Sequence, residues 1–148
     1  ERVRVNPQFW NGDPDIDAIC RISFNPEVLF SDFQPFTSEQ LMPFNSQNTF
    51  LTRDVIPYYM MMIGVGRLDD IFGGYVLQQI ANEVGLDLGI TYSKPTVYQK
   101  RNPHNLVVDL EKEIIGYNKA IEFSTKRYTE ILPKETLVAF EEYNKLFK

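Results

Sequence analysis

The sequence predicts an α/β fold, and three observations carry that prediction. Short β-type runs are set apart by proline and glycine, a stripe of apolar residues recurs at helical spacing over residues 68–84, and the chain from residue 106 onward reads as helix. Residues 6–17 (NPQFWNGDPDID) read as a loop, because Pro7, Gly12 and Pro14 interrupt regular structure. Residues 18–24 (AICRISF) follow as a short strand. Residues 25–47 carry Pro26, Pro35 and Pro43 among several phenylalanines, which predicts an ordered excursion rather than a linker. A second strand is expected at residues 48–52. The helix over 68–84 places Leu68, Ile71, Phe72, Tyr75, Val76, Ile80 and Val84 on one stripe, and Gly85 ends it. Two strands, 86–92 and 96–100, are separated by Ser93, Lys94 and Pro95, and residues 101–105 form a loop. Residues 106–131 read as helical with Gly116 as the weak spot. Pro133 starts a last helix that runs to Phe147.

Composition bounds the function. At 148 residues the chain is one domain or part of one, and its start at Glu1 reads as a processed or excised piece. Apolar residues make up 43% and aromatics 14%, enough for a core. Lys and Arg (15) are outnumbered by Asp and Glu (20), for a net charge of −5, which argues against nucleic acid as a partner. The one cysteine, Cys20, forms no internal disulfide. The longest apolar run, residues 58–65, is far short of the roughly 18 residues of a membrane span, and no targeting signal is visible. Neither the P-loop nor the dinucleotide fingerprint is present.

Two acidic clusters invite chemistry. Asp13, Asp15 and Asp17 alternate, so in an extended segment they share a face and can converge on a hard cation such as Mg²⁺ or Mn²⁺. Aspartate with proline and glycine is equally ordinary turn chemistry. Asp69 and Asp70 sit in the first turn of the predicted helix, where acids complement the macrodipole; at the rim of a pocket, one of them can serve as a general base. Adjacent helical residues diverge by about 100°, so one of the pair is expected to face a given ligand. Arg67, Lys100 and Arg101 are candidate phosphate contacts. Trp10 is a candidate stacking wall, and His104 is the single histidine.

Taken together, several segments resemble one group of proteins. FWNGDPDIDA (residues 9–18) looks like the W-x-x-x-PDxDA segment of the reversibly glycosylated polypeptides, the UDP-arabinopyranose mutases. PFNSQNTFLT (43–52) resembles a segment of the STELLO-like glycosyltransferases. GRLDDIFGGYVLQQIANEVGLDLGITYSKPTVYQK (66–100) is similar to a block found in both groups, and NLVVDLEKEIIG (105–116) resembles a later mutase segment. The family tryptophan after the acidic pair is Phe72 here, and a family histidine is matched near Gln99.

The resemblance implies the C-terminal, acceptor-side half of a GT-A-type glycosyltransferase: an α/β portion over 1–105 and C-terminal helices over 106–148. The nucleotide-binding half and its metal motif are expected upstream. The implied partners are a nucleotide-sugar donor and a carbohydrate or other hydroxyl acceptor, with a divalent metal (Mn²⁺ or Mg²⁺) as cofactor. Asp70, then Asp69, is the implied acceptor base or sugar contact. Arg67, Trp10, Asp15, Asp17, Asn48, Lys100 and Arg101 are the expected substrate contacts, and Asp13 and His104 the candidate metal ligands in this chain. Two other readings are a non-catalytic interaction protein with a degenerate glycosyltransferase fold and a nucleotide-sugar mutase.

Overall fold

The long apolar stripe forms a helix, α2 (Asp69–Glu83), and the rest of the chain packs on two sides of it. The structure, a computed structural model, describes residues 2–38, 40–103 and 105–148. On one side lies a mixed four-stranded sheet built from β1 (Val5–Gly12), β2 (Phe36–Thr37), β3 (Thr49–Leu51) and β4 (Thr91–Gln99), in the spatial order β2-β4-β1-β3. β1 runs parallel to β4 and antiparallel to β3, while β2 pairs antiparallel with β4. Val5, Leu77, Ala81, Leu88 and Ile90 fill the layer between sheet and helix. On the other side lie α3 (Leu106–Glu122), α4 (Tyr128–Ile131) and α5 (Lys134–Lys145), with Phe72, Val76, Phe123, Leu132 and Phe140 between them and α2. Because α2 is buried on both sides, its apolar residues are not confined to one stripe, and Val84, expected on that stripe, is 57% exposed at the helix end. Gly85 leaves the helix with φ +69, as expected of a C-terminal glycine.

Three segments differ from the sequence reading. Residues 6–17 are not all loop: β1 occupies their first half. The antiparallel bonds to β3 run through Arg4 and Gln8, whose partners are Thr52 and Asn48. Pro7 falls between them, where β3 asks for no N–H. Residues 18–24 are not a strand but a helix, α1 (Ala18–Phe24). Asp17 caps it by accepting the Cys20 N–H at 2.7 Å, and Asn25 ends it with a left-handed backbone at φ +41. The strands expected at 86–92 and 96–100 are one strand, β4. Pro95 is accommodated because the ladder between β1 and β4 is irregular between the Gln8–Ser93 and Trp10–Val97 pairs.

The remaining elements follow the expected order. The excursion over 25–47 is held by its aromatics, with Phe9, Phe30 and Phe33 in mutual contact and Phe36 stacked on Tyr92 at 5.0 Å. The helical reading of 106–131 is broken after Glu122, where Phe123 and the following turn separate α3 from α4. Gly116 does not break α3; it is buried where a Cβ would run into the side chain of Leu68, so its smallness brings α3 close to the start of α2.

Gly73 is a second close approach, since a Cβ there would overlap the backbone carbonyl of Met60. Helix propensity alone favours Gly→Ala by about 1 kcal/mol. Overlap with fixed backbone reverses that sign, so Gly73→Ala is expected to destabilise the fold by about 1–3 kcal/mol net. Urea unfolding of wild type and variant reads the difference; a stabilised variant would refute the close packing.

Candidate functional site

A cleft of about 600 Å³ opens at the N-terminal end of α2. The sequence forms that end without a side-chain cap from Leu68. Instead Asp69 Oδ1 accepts the Asp70 N–H at 2.9 Å and Asp70 Oδ1 accepts the Ile71 N–H at 2.8 Å. The Asp69 and Phe72 N–H groups bond to the carbonyls of Gly66 and Leu68. The first N–H groups of the helix are thus satisfied by its own acids and turn, leaving none to cradle a phosphate.

The turn Asn45, Ser46 and Gln47 ties this end to the loop after β1. Ser46 donates to Asp70 Oδ2 twice, from its N–H at 2.9 Å and its hydroxyl at 3.2 Å. Asn45 Nδ2 and Gln47 Nε2 donate to Asp15 Oδ2 at 2.7 and 3.3 Å, and Arg101 Nη2 donates to Asp15 Oδ1. The Arg101 backbone N–H donates to Asp13 Oδ2 at 2.8 Å, so the chain leaving β4 is latched to the chain leaving β1. The three alternating aspartates therefore do not converge: Asp13 takes a backbone N–H, Asp15 takes three side chains, and Asp17 caps α1. Among the described residues no cluster of three or more His, Cys, Asp or Glu can hold a metal ion, and His104 lies outside them.

The floor of the cleft is an ion-paired knot. Arg67 Nε donates to Glu113 Oε1 at 2.6 Å, and its Nη1 lies 3.3 Å from Asp109 Oδ1. Glu113 is 2% exposed, and its other oxygen accepts the Ala18 N–H at 2.7 Å. Burial works against the Arg67 charge, but the Glu113 hydrogen bond and the two carboxylates hold its pKa above the ordinary value. Both guanidiniums that line the cleft, Arg67 and Arg101, are engaged by carboxylates. Five carboxylates (Asp15, Asp17, Asp69, Asp70 and Glu113) face those two cations, so the cleft repels a phosphate rather than attracting one.

Of the residues singled out by sequence, Arg67, Asp15, Asp17, Asp69, Asp70 and Arg101 line the cleft. Trp10, Asn48, Asp13 and Lys100 do not. Trp10 is 9% exposed within β1, and Asn48 Nδ2 donates to the Phe9 carbonyl at 3.2 Å. Sequence reasoning passed over Glu113, Tyr117 and Ser46, although Ser46 lies in PFNSQNTFLT and Glu113 in NLVVDLEKEIIG, two segments that carry the resemblance.

The two adjacent acids are not equivalent. Asp70 takes three donors, two on Oδ2 and one on Oδ1. Asp69 takes one, on Oδ1, and its Oδ2 has no hydrogen bond among the described residues. Burial, with the neighbouring Asp70 charge, raises the Asp69 pKa. Behind them burial, and then the charges of Asp70 and Asp69, raise the pKa of Tyr59. A second groove, of about 740 Å³, lies at the opposite end of α2, but its two central amides are already spent. Gln78 bonds both backbone groups of Met42, and Gln79 bonds the Phe123, Lys126 and Tyr128 backbones. Comparison with protein-family models and with curated protein sequences finds no match.

Removing the Glu113 carboxylate takes the shorter of two ion pairs from a partly buried guanidinium and strands a buried N–H. Glu113→Ala is expected to destabilise the protein by about 3 kcal/mol, with Glu113→Gln losing less because the amide oxygen still accepts one bond. Denaturant titration of the two variants checks the order; equal losses would deny the ion pair its role.

The Asp69 shift has a definite sign. Its folded pKa is raised above the unfolded value near 3.8, so ionised Asp69 subtracts stability at neutral pH. That penalty fades as pH falls through the folded pKa and is gone below the unfolded one. Asp69→Asn cannot ionise, yet its amide oxygen can accept the Asp70 N–H. The variant should therefore melt higher than wild type at pH 7 and no higher at pH 3, as read by paired thermal melts.

Proposed function

We propose that this cleft is the acceptor side of an active site that transfers a sugar from a nucleotide-sugar donor to a hydroxyl group. One observation supports the reading above the others. The segments that resemble glycosyltransferases, around residues 13–17, 45–47 and 67–71, are far apart in sequence and close on a single cleft containing two adjacent carboxylates. Asp69 Oδ2, the carboxylate oxygen without a hydrogen bond, is assigned to take the proton of the acceptor hydroxyl. As that proton leaves, the hydroxyl oxygen bonds to the anomeric carbon, and the diphosphate departs with the electron pair of the broken bond. Asp70, fixed by Ser46, is assigned to accept hydrogen bonds from sugar hydroxyls. This reverses the order expected from resemblance, because both Asp70 oxygens are already engaged by donors while Asp69 Oδ2 is open to an acceptor hydroxyl.

The divalent metal implied by the resemblance does not fit the described residues of this chain, whose acids are committed to separate partners. Holding the diphosphate falls to the upstream half that the resemblance implies. A second reading, a non-catalytic interaction module, is favoured by the exposed Ile19, Ile22 and Phe24 of α1 and Val107 and Ile121 of α3.

The discriminating assay follows nucleoside-diphosphate release from a panel of nucleotide sugars, with Mn²⁺ and hydroxyl acceptors, by the complete protein. Asp69→Asn should lower kcat by about 10²-fold while the protein stays folded, and Asp70→Asn should act mainly on KM for the acceptor. Full turnover in Asp69→Asn would remove the proton-acceptor role. An inactive wild type across the panel would favour the interaction module.

A further inference from the structure

We infer that Tyr117 is the aromatic platform of the cleft and that the ligand seated on it is an uncharged saccharide, held by its apolar ring face on one side and by its hydroxyls on the other. The inference rests on the glycosyl-transfer reading and narrows it to a ligand class and a residue. Tyr117 is the one aromatic side chain lining the cleft among the described residues; Trp10, the expected stacking wall, is buried in the sheet. It stands one helical turn beyond Glu113 on α3, so the two share a face. Its neighbour Gly116 brings that face against Leu68, beside the two acids. Tyr117 is 36% exposed as a residue, so it has surface to cover, and no hydrogen bond is made by its hydroxyl among the described residues.

The same cleft supplies the polar half of such a site. Asp69 keeps an oxygen without a donor, and Asp70 is held in place by Ser46. Carboxylates accept hydrogen bonds from hydroxyls and give none, so they select donors. The five carboxylates exclude an anionic ligand, and both arginines are already paired. Burial, and then the Glu113 and Asp17 charges, push the Tyr117 phenol up to about 12, so it stays a neutral hydrogen-bond donor throughout the physiological range. A sugar ring, with an apolar C–H face and a rim of hydroxyl donors, matches an aromatic surface and acceptors lining one cleft.

The test is saturation-transfer NMR of methyl pyranosides (gluco, galacto and arabino) with this chain, repeated on Tyr117→Ala and Tyr117→Phe, with UDP as an anionic comparison. Thermal melts confirm that each variant is folded. The expected result is saturation of the sugar ring protons by wild type and Tyr117→Phe, an affinity about tenfold weaker for Tyr117→Ala, and no UDP signal in competition with the sugars. If a melt shows Tyr117→Ala unfolded, the decision passes to Tyr117→Phe and to the saturation pattern, which must fall on the ring C–H protons of one face. Saccharide binding undiminished in a folded Tyr117→Ala would overturn the platform while leaving glycosyl transfer standing. UDP displacing the sugars would overturn the uncharged-ligand assignment alone. No saccharide signal from wild type would overturn the inference, and the transfer assay then decides separately whether the wider reading survives.

Discussion

The buried carboxylate of Glu113 is the constraint on which the cleft depends. It binds the first N–H of α1 with one oxygen and Arg67, just before α2, with the other, so one side chain of α3 fixes the starts of two other helices. A carboxylate this deeply buried is tolerated only when its charge is matched and its lone pairs are filled, and Arg67 with the Ala18 N–H does both. Asp109 adds a second anion to Arg67 from the same helix. Gly116 lets α3 come close enough for this arrangement, since any side chain there would meet Leu68. The knot therefore specifies geometry more than it contributes net stability, because its desolvation offsets much of its attraction.

Above that floor, a second set of bonds decides which acids remain available. Asn45, Ser46 and Gln47 present donors in two directions, to Asp15 and to Asp70, and so join the loop after β1 to the start of α2. Arg101 closes the circuit from the end of β4. Polar groups in such a network are used against one another, which rigidifies the walls and removes their capacity for ligand. What remains is selective: a carboxylate oxygen on Asp69, a phenol on Tyr117, and cations that are already neutralised. A cleft with that residue suits hydroxyl donors and disfavours phosphate, despite the presence of two arginines in its lining.

The elements that the sequence announced are those whose stability is local. The helix at 69–83 has a long run of apolar positions and a glycine stop, and the last helix begins beside a proline, so both were legible close to their true bounds. The elements misread are those in which breakers were overruled by neighbours. Pro7 and Pro95 sit inside strands because one faces away from the β3 ladder and the other falls at an irregularity against β1. AICRISF has strand-like residues, but the Asp17 cap and the fit of Ala18 and Arg21 against the interior make it a helix. The acidic pair was legible as the start of a helix; Tyr117 was not legible as part of any site, because nothing in its own segment distinguishes it from a residue on a solvated helical face.

By itself, the sequence determined the α/β class, the axial helix, the helical C-terminal third and the presence of two acidic clusters, because periodicity, breakers and capping act over a few residues. Only the tertiary structure decided which carboxylates share a cleft, which are spent on backbone N–H groups, which arginines are already paired and which aromatic faces the opening. Those outcomes depend on contacts such as Asp15 with Arg101 and Arg67 with Glu113, which join residues 86 and 46 positions apart. No pattern within a single segment encodes such pairings; they exist only once the sheet and the C-terminal helices have closed around α2.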